Sequence, residues 1–142
     1  MPAENDLIDL MRQALNNIRR HYDAAARDMG LTWSRARVIL AVARSEGATQ
    51  AAIAANLEIE APTLKRLVDA LEADGYLERR AVAEDARKKT LHLTARARES
   101  RVAEMRRQLR VDLGDGITPD DLRVTGDVLR RISANIARLE GK

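Results

Sequence analysis

The sequence contains no cysteine and no phenylalanine, and only one tryptophan, two tyrosines and two histidines. Without cysteine there can be no disulfide, thiolate metal site, iron–sulfur cluster, thiol nucleophile or thiol redox sensor. His21 and His92 are too few for a multi-histidine metal centre, so neither a metal nor a cofactor is expected. No apolar run approaches the ~20 residues that a membrane-crossing helix needs. The opening MPAENDLIDL is acidic and lacks the basic segment of a signal peptide. These absences point to a cytoplasmic protein with no membrane partner. The shortage of aromatic rings also removes the usual bulk of a monomeric core of this size.

What is present is a helix-forming vocabulary: 24 Ala, 21 Arg and 17 Leu among 142 residues, enough for one domain or one domain with a dimerisation appendage. The net charge of +3 says little, but its distribution says more. Glu84 to Arg110 carries nine Arg/Lys against four Asp/Glu, whereas Glu58 to Glu78 carries six acids and only two bases, Lys65 and Arg66. On charge alone that pair fits either a polyanion contact or a solvated face.

Hydrophobic spacing predicts the fold class: mainly α with a small β-hairpin wing, in the order H-H-H-H-β-β-H-H. Leu7, Met11, Ala14, Ile18, Tyr22, Ala25 and Met29 form one stripe of a first helix over 6–29, capped by Asn5 or Asp6 and ended by Gly30. Thr32 opens a second helix with Ala36, Ile39, Leu40 and Ala43 inward, and Gly47 closes it. Thr49 caps a short third helix with Ala52, Ile53 and Leu57 inward. The fourth runs over 61–74, with Pro62 in its first turn, Leu64, Leu67, Val68 and Leu71 inward, and Gly75 after its end. Tyr76–Arg80 and Thr90–Thr94 read as two short strands, with His92 facing outward between Leu91 and Leu93. Thr94 then caps a long polar helix to about Leu113, with Val102, Met105, Leu109 and Leu113 as a narrow stripe. Thr118-Pro119-Asp120-Asp121 restarts a last helix whose Leu122, Thr125, Leu129, Ile132, Ile136 and Leu139 form a coiled-coil-like seam. Residues 32–94 thus read as a winged helix-turn-helix, and 1–31 with 95–142 as helices whose stripes require a partner chain.

The chemistry-bearing residues fall in two places. On the outward face of the 61–74 helix stand Pro62, Thr63, Lys65, Arg66 and Asp69. Arg66 has the fork to span two acceptors of a guanine, Lys65 the reach for a base or phosphate, and Thr63 that for a phosphate or a thymine methyl. Thr49 and Gln50, at the start of the preceding helix, belong to the same candidate contact set. The second place is the turn Asp85-Ala86-Arg87-Lys88-Lys89, where Asp85 can pair with Arg87 and aim it at a narrow minor groove while Lys88 and Lys89 meet phosphates. A charged surface turn is the plain alternative. Asp115, Asp120 and Asp121 are explained by helix capping, and no nucleophile or phosphate-cradling glycine loop accompanies them, so no enzyme is expected.

The segments EAPTLKRLVDALEADGYLERR and EDARKKTLHLTARA resemble the winged-helix core of the MarR family of transcription regulators, particularly its SlyA-like branch. The wing pattern appears as Asp85-Ala86-Arg87 followed by Leu93-Thr94, and Leu31-Thr32 and Leu71…Gly75-Tyr76-Leu77…Arg79 match upstream. The chain departs at Glu58, where the turn often has glycine. The resemblance implies a homodimeric repressor or activator on a palindromic operator, with the 61–74 helix in the major groove and wing 82–90 in the minor groove. It also implies release by a small aromatic or phenolic effector. His21, Tyr22, Trp33 and Arg37, where the first two helices meet, are the candidate lining, with packing as the plain alternative for Trp33. A helical adaptor that uses the winged fold without reading DNA is the competing class.

Overall fold

The computed structural model describes residues 6–141, so Asn5 as a helix cap lies outside the described residues, as do the first five residues and the last of the two flanking helical segments. The elements are α1 (Leu7–Arg27), α2 (Trp33–Arg44), α3 (Gln50–Leu57), α4 (Ala61–Ala73), β1 (Leu77–Val82), β2 (Asp85–Leu93), α5 (Ala95–Glu99), α6 (Val102–Leu113) and α7 (Pro119–Leu139). They fall into two units, one ending at Met105 and the other beginning at Arg106. The chain is therefore mainly helical, with one two-stranded antiparallel hairpin.

Local chemistry sets most helix starts. Asp6 accepts from the Ile8 amide, Thr32 from Arg35, Thr49 from Ala52, Thr94 from Ala97 and Thr118 from Asp121. Each cap satisfies a backbone donor that the helix itself leaves open, typically contributing about 1 kcal/mol. Gly30, Gly47 and Gly75 take the positive φ values that end α1, α2 and α4.

The core of the first unit is aliphatic apart from Tyr22 and Tyr76. Tyr22 and Ala26 from α1 meet Ala36, Val38, Ile39, Ala41 and Val42 from α2, with Leu31, Ile53, Ala54, Leu64, Val68, Leu71, Tyr76, Leu77, Leu91, Ala97 and Val102 completing it. Each fully buried Leu, Ile or Val contributes roughly 1.5–3 kcal/mol. Several expected faces are shifted. α2 is buried at Val38, Ala41 and Val42 while Ala43 is exposed, because other elements pack on more than one side of it. α3 buries Ile53 and Ala54 rather than Ala52, and α1 buries Ala26 more fully than Ala25.

Two further expectations are corrected. The helix after Thr94 is not continuous: Ser100 takes an extended backbone, its hydroxyl donates to the Ala97 carbonyl at 2.6 Å, and α6 restarts at Val102. A hydroxyl that bonds nearby backbone competes with helix continuation. His92 is half-buried rather than outward and exposed, with a ring nitrogen 2.9 Å from Thr90 Oγ1.

In the second unit α7 buries none of its residues. Of its expected seam, Leu122, Leu129, Ile136 and Leu139 are each between 39% and 80% exposed and Ile132 is half-buried, so the seam lies largely open on this chain. Among the described residues no helix is long and apolar enough to cross a membrane.

Candidate nucleic-acid interface

α3 ends at Glu58, which adopts the left-handed conformation at φ 55° and ψ 43°. That single residue turns the chain so that α4 starts three residues later, with Glu60 as its N-cap and Pro62 in the first turn. Leu64, Val68 and Leu71 are buried and fix the rotation of α4 about its axis. Pro62, Lys65, Arg66 and Asp69 consequently face solvent, and Thr63 is half-buried.

These outward side chains differ in what already holds them. Lys65 Nζ lies 3.0 Å from Asp69 Oδ2, and Asp69 Oδ1 lies 2.7 Å from the Arg79 guanidinium. Hydrogen bonds from Lys65 and then Arg79 keep the Asp69 carboxyl below its ordinary pKa. Arg66 makes no ion pair or side-chain hydrogen bond among the described residues. Arg79 also donates from Nε to Gln50 Oε1 at 3.0 Å, from Nη1 to Glu72 Oε1 at 3.1 Å and from Nη2 to the Lys65 carbonyl at 3.4 Å. Gln50 is thus engaged through its carbonyl oxygen, while its amide N–H groups remain for another partner. The sequence reading missed this centre: Arg79 appeared there only as part of a motif, and its four partners, Gln50, Lys65, Asp69 and Glu72, lie on other elements.

The hairpin is paired from Leu77 with Leu93 to Ala81 with Lys89, and then jumps to Val82 with Asp85. The jump leaves Ala86, Arg87 and Lys88 without counterparts on β1, so they project as the tip. The reversal itself is at Ala83-Glu84, and Asp85–Lys89 are strand residues of β2 rather than a turn. Asp85 Oδ1 accepts from the Arg87 amide at 3.0 Å and lies 3.4 Å from Arg87 Nε, while the Arg87 side chain is 93% exposed.

Backbone contacts tie this wing to the helices. Leu91 donates to Ala48 at 3.0 Å, Gly47 donates to Leu91 at 2.9 Å, and Thr49 pairs with Thr90 as an isolated bridge. Glu46 holds the base of β2 by accepting from the Leu93 amide at 2.8 Å and from Arg98. The Leu93 amide first, and then Arg98, keep the Glu46 carboxyl below its ordinary pKa. Between wing and helices runs a groove of ≈ 450 Å³, floored by Ala51, Ala54, Ala61 and Leu64 and edged by Thr49, Gln50, Arg87, Lys88 and Lys89. The structure thus brings two separate sequence candidates, the wing and the start of α3, to one basic groove beside α4.

The other candidate cluster is smaller. Tyr22 and Trp33 meet edge to face at 4.7 Å, Arg37 Cζ lies 5.9 Å from the Trp33 ring, and the Trp33 amide donates to Asp23 Oδ1 at 2.6 Å. Tyr22 is 1% exposed, so its ring is core, whereas Trp33 and Arg37 are half-buried. His21 is exposed and takes no part in these ring contacts.

A model of the MarR family matches residues 29–88. Among solved structures, the transcriptional regulator PA3341 is 34% identical over 94% of this chain and 98% of its own, with a TM-score of 0.81. The transcriptional regulator SlyA is 16% identical over 94% of this chain and 96% of its own, at a TM-score of 0.86. A MarR mutant from E. coli, complexed with operator DNA, is 19% identical over 90% of this chain and 94% of its own, at 0.79.

Proposed function

The chain belongs to the MarR family of transcription regulators, and from that premise we propose that it binds double-stranded DNA as a homodimer on a palindromic operator. α4 enters the major groove and wing 82–90 reaches the adjacent minor groove. The observation that carries this reading is the shared groove: Lys88 and Lys89 and the exposed Arg87 tip stand beside α4, whose outward face presents an uncommitted Arg66. A similar chain solved in complex with operator DNA supports duplex DNA as the partner. On this reading Arg66 reads a base edge, Thr63, Lys65 and Pro62 line the approach, and Thr49, Gln50, Lys88 and Lys89 contact the backbone of the duplex. The exposed apolar stripes of α1 and α7 supply the dimer contact. A small aromatic or phenolic effector, held by Trp33 and Arg37 with Tyr22 packed against the Trp33 ring, modulates binding.

Selection from a random duplex pool, followed by affinity measurement across a salt series, tests this reading. A palindromic winner and a steep fall of affinity with salt are expected. Flat, sequence-independent or absent binding would overturn it.

A further inference from the structure

On the reading that α4 enters DNA, we propose that Arg79 is a positioning residue for sequence recognition, one that sets the recognition surface without touching the duplex. The Arg79 side chain is only 17% exposed, and four of its five N–H groups are directed at protein acceptors. Nε goes to Gln50 on α3, Nη1 to Glu72 and Nη2 to Asp69 and the Lys65 carbonyl on α4, while its own amide donates to Glu72 Oε2 at 3.1 Å from β1. One planar fork therefore fixes three elements at once: the helix before the turn, the helix after it and the first strand of the wing. A lysine offers a single rotating ammonium in place of that fork and cannot hold the three directions together.

The fork also decides which cations on α4 are available. Arg79 aims Asp69, and Asp69 holds Lys65 at 3.0 Å, so Lys65 reaches the duplex already neutralised by its neighbour. Arg66 has no such partner among the described residues. Base discrimination accordingly concentrates on Arg66, and the Arg79–Asp69 pair keeps Lys65 from adding sequence-blind attraction to any phosphate. Two distinct consequences follow. Loss of the fork blurs the orientation of α4 and reduces discrimination between sequences. Loss of the Asp69 charge alone frees Lys65 and adds a phosphate contact.

The test uses the full chain, the duplex it selects from a random pool, and a scrambled duplex of equal length, with thermal melting as the check on folding. Arg79→Gln is expected to lower the affinity ratio between the two duplexes by about tenfold or more, with the salt slope on the scrambled duplex unchanged. Arg79→Lys is expected to restore less than half of that loss on a logarithmic scale. Asp69→Asn, an exposed change that keeps the core intact, is expected to tighten scrambled-duplex binding and steepen its salt slope by about one. A folded Arg79→Gln with an unchanged ratio overturns the proposal, as does a salt slope that falls by about one, which would make Arg79 a phosphate contact. If Arg79→Gln does not fold, Asp69→Asn decides: an unchanged slope overturns the proposal. Failure of the wild-type chain to bind either duplex would instead overturn the DNA-binding reading itself, and this proposal with it.

Discussion

Asp85 Oδ1 accepts the backbone amide of Arg87 at 3.0 Å and lies 3.4 Å from the same residue's Nε, so one carboxylate oxygen governs both the chain direction and the side chain at the wing tip. Exposed ion pairs of this kind add little to stability. The value of the contact lies in restricting where a 93% exposed guanidinium points. Asp85→Ala is therefore expected to leave the melting temperature nearly unchanged and to weaken operator binding by about tenfold. If Asp85 acts only through Arg87, the double variant with Arg87→Ala binds no worse than Arg87→Ala alone. Titrating the four proteins against one duplex closes the cycle, and additive losses would show that Asp85 acts independently.

Arg66 and Lys88 should separate sequence readout from charge. Arg66→Ala is expected to cost about 1–3 kcal/mol on the selected operator and little on scrambled DNA, relaxing specificity at one position of each half-site. Lys88→Ala is expected to weaken both duplexes alike and reduce the salt slope by about one. Equilibrium binding at four salt concentrations measures both quantities together. Equal effects of the two variants on both duplexes would contradict the assignment of α4 as the reading helix.

Glu58 is the only non-glycine residue with positive φ among the described residues. A left-handed backbone costs an ordinary side chain roughly 1–2 kcal/mol, and glycine offsets part of that gain through the entropy it loses on folding. Glu58→Gly is expected to raise stability by about 0.5–1 kcal/mol without altering the turn. The urea midpoint reports it, and a lower midpoint would refute the strain.

Leu129 lies on the open stripe of α7 and is 44% exposed. A charge placed there would be stranded in a helix-on-helix contact but solvated on a free chain. Leu129→Glu is expected to convert a dimer to monomer at micromolar concentration in sedimentation velocity, with little change in helix content. A variant that sediments like the wild type would place the dimer contact elsewhere.

The Glu46 carboxyl, held below its ordinary pKa of 4.5 by the Leu93 amide and Arg98, gives a pH signature. A group whose folded pKa is depressed contributes stability above its unfolded pKa, and that contribution is lost as pH falls through the folded value. Glu46→Gln is accordingly expected to lower the melting temperature at pH 7. The gap to the wild type should close as pH drops below about 4.5 and vanish once the carboxyl is protonated in the folded state. A gap that stays constant from pH 7 to pH 3 would show that the carboxylate charge is not involved.

The local elements were legible because their causes are local. Thr32, Thr49, Thr94 and Thr118 each precede a run that needs a donor satisfied, and each caps the helix that follows. The apolar period on α4 correctly set Leu64, Val68 and Leu71 inward, and with them Arg66 outward. The faces of α2 and α3 were read less well. α2 is packed on more than one side, and burial on several sides erases the amphipathic period. The break at Ser100 was missed because one hydroxyl–carbonyl bond there outweighs a helical stretch of otherwise good formers.

The absence of cysteine, the four threonine caps, the glycine stops and the Asp85–Arg87 spacing were determined by the sequence alone, since each depends on residue identity or on neighbours a few positions away. The tertiary structure decided what those residues are free to do. Gln50, Asp69, Glu72 and Arg79 span 29 positions of chain and meet only after α3, α4 and β1 have packed. The Lys65–Asp69 pair is legible as an i,i+4 spacing on α4, but no periodicity signals that Asp69 and the Lys65 carbonyl are also tied to an arginine on β1. That second tie is a distance of a few ångströms between segments, and only the folded core sets it.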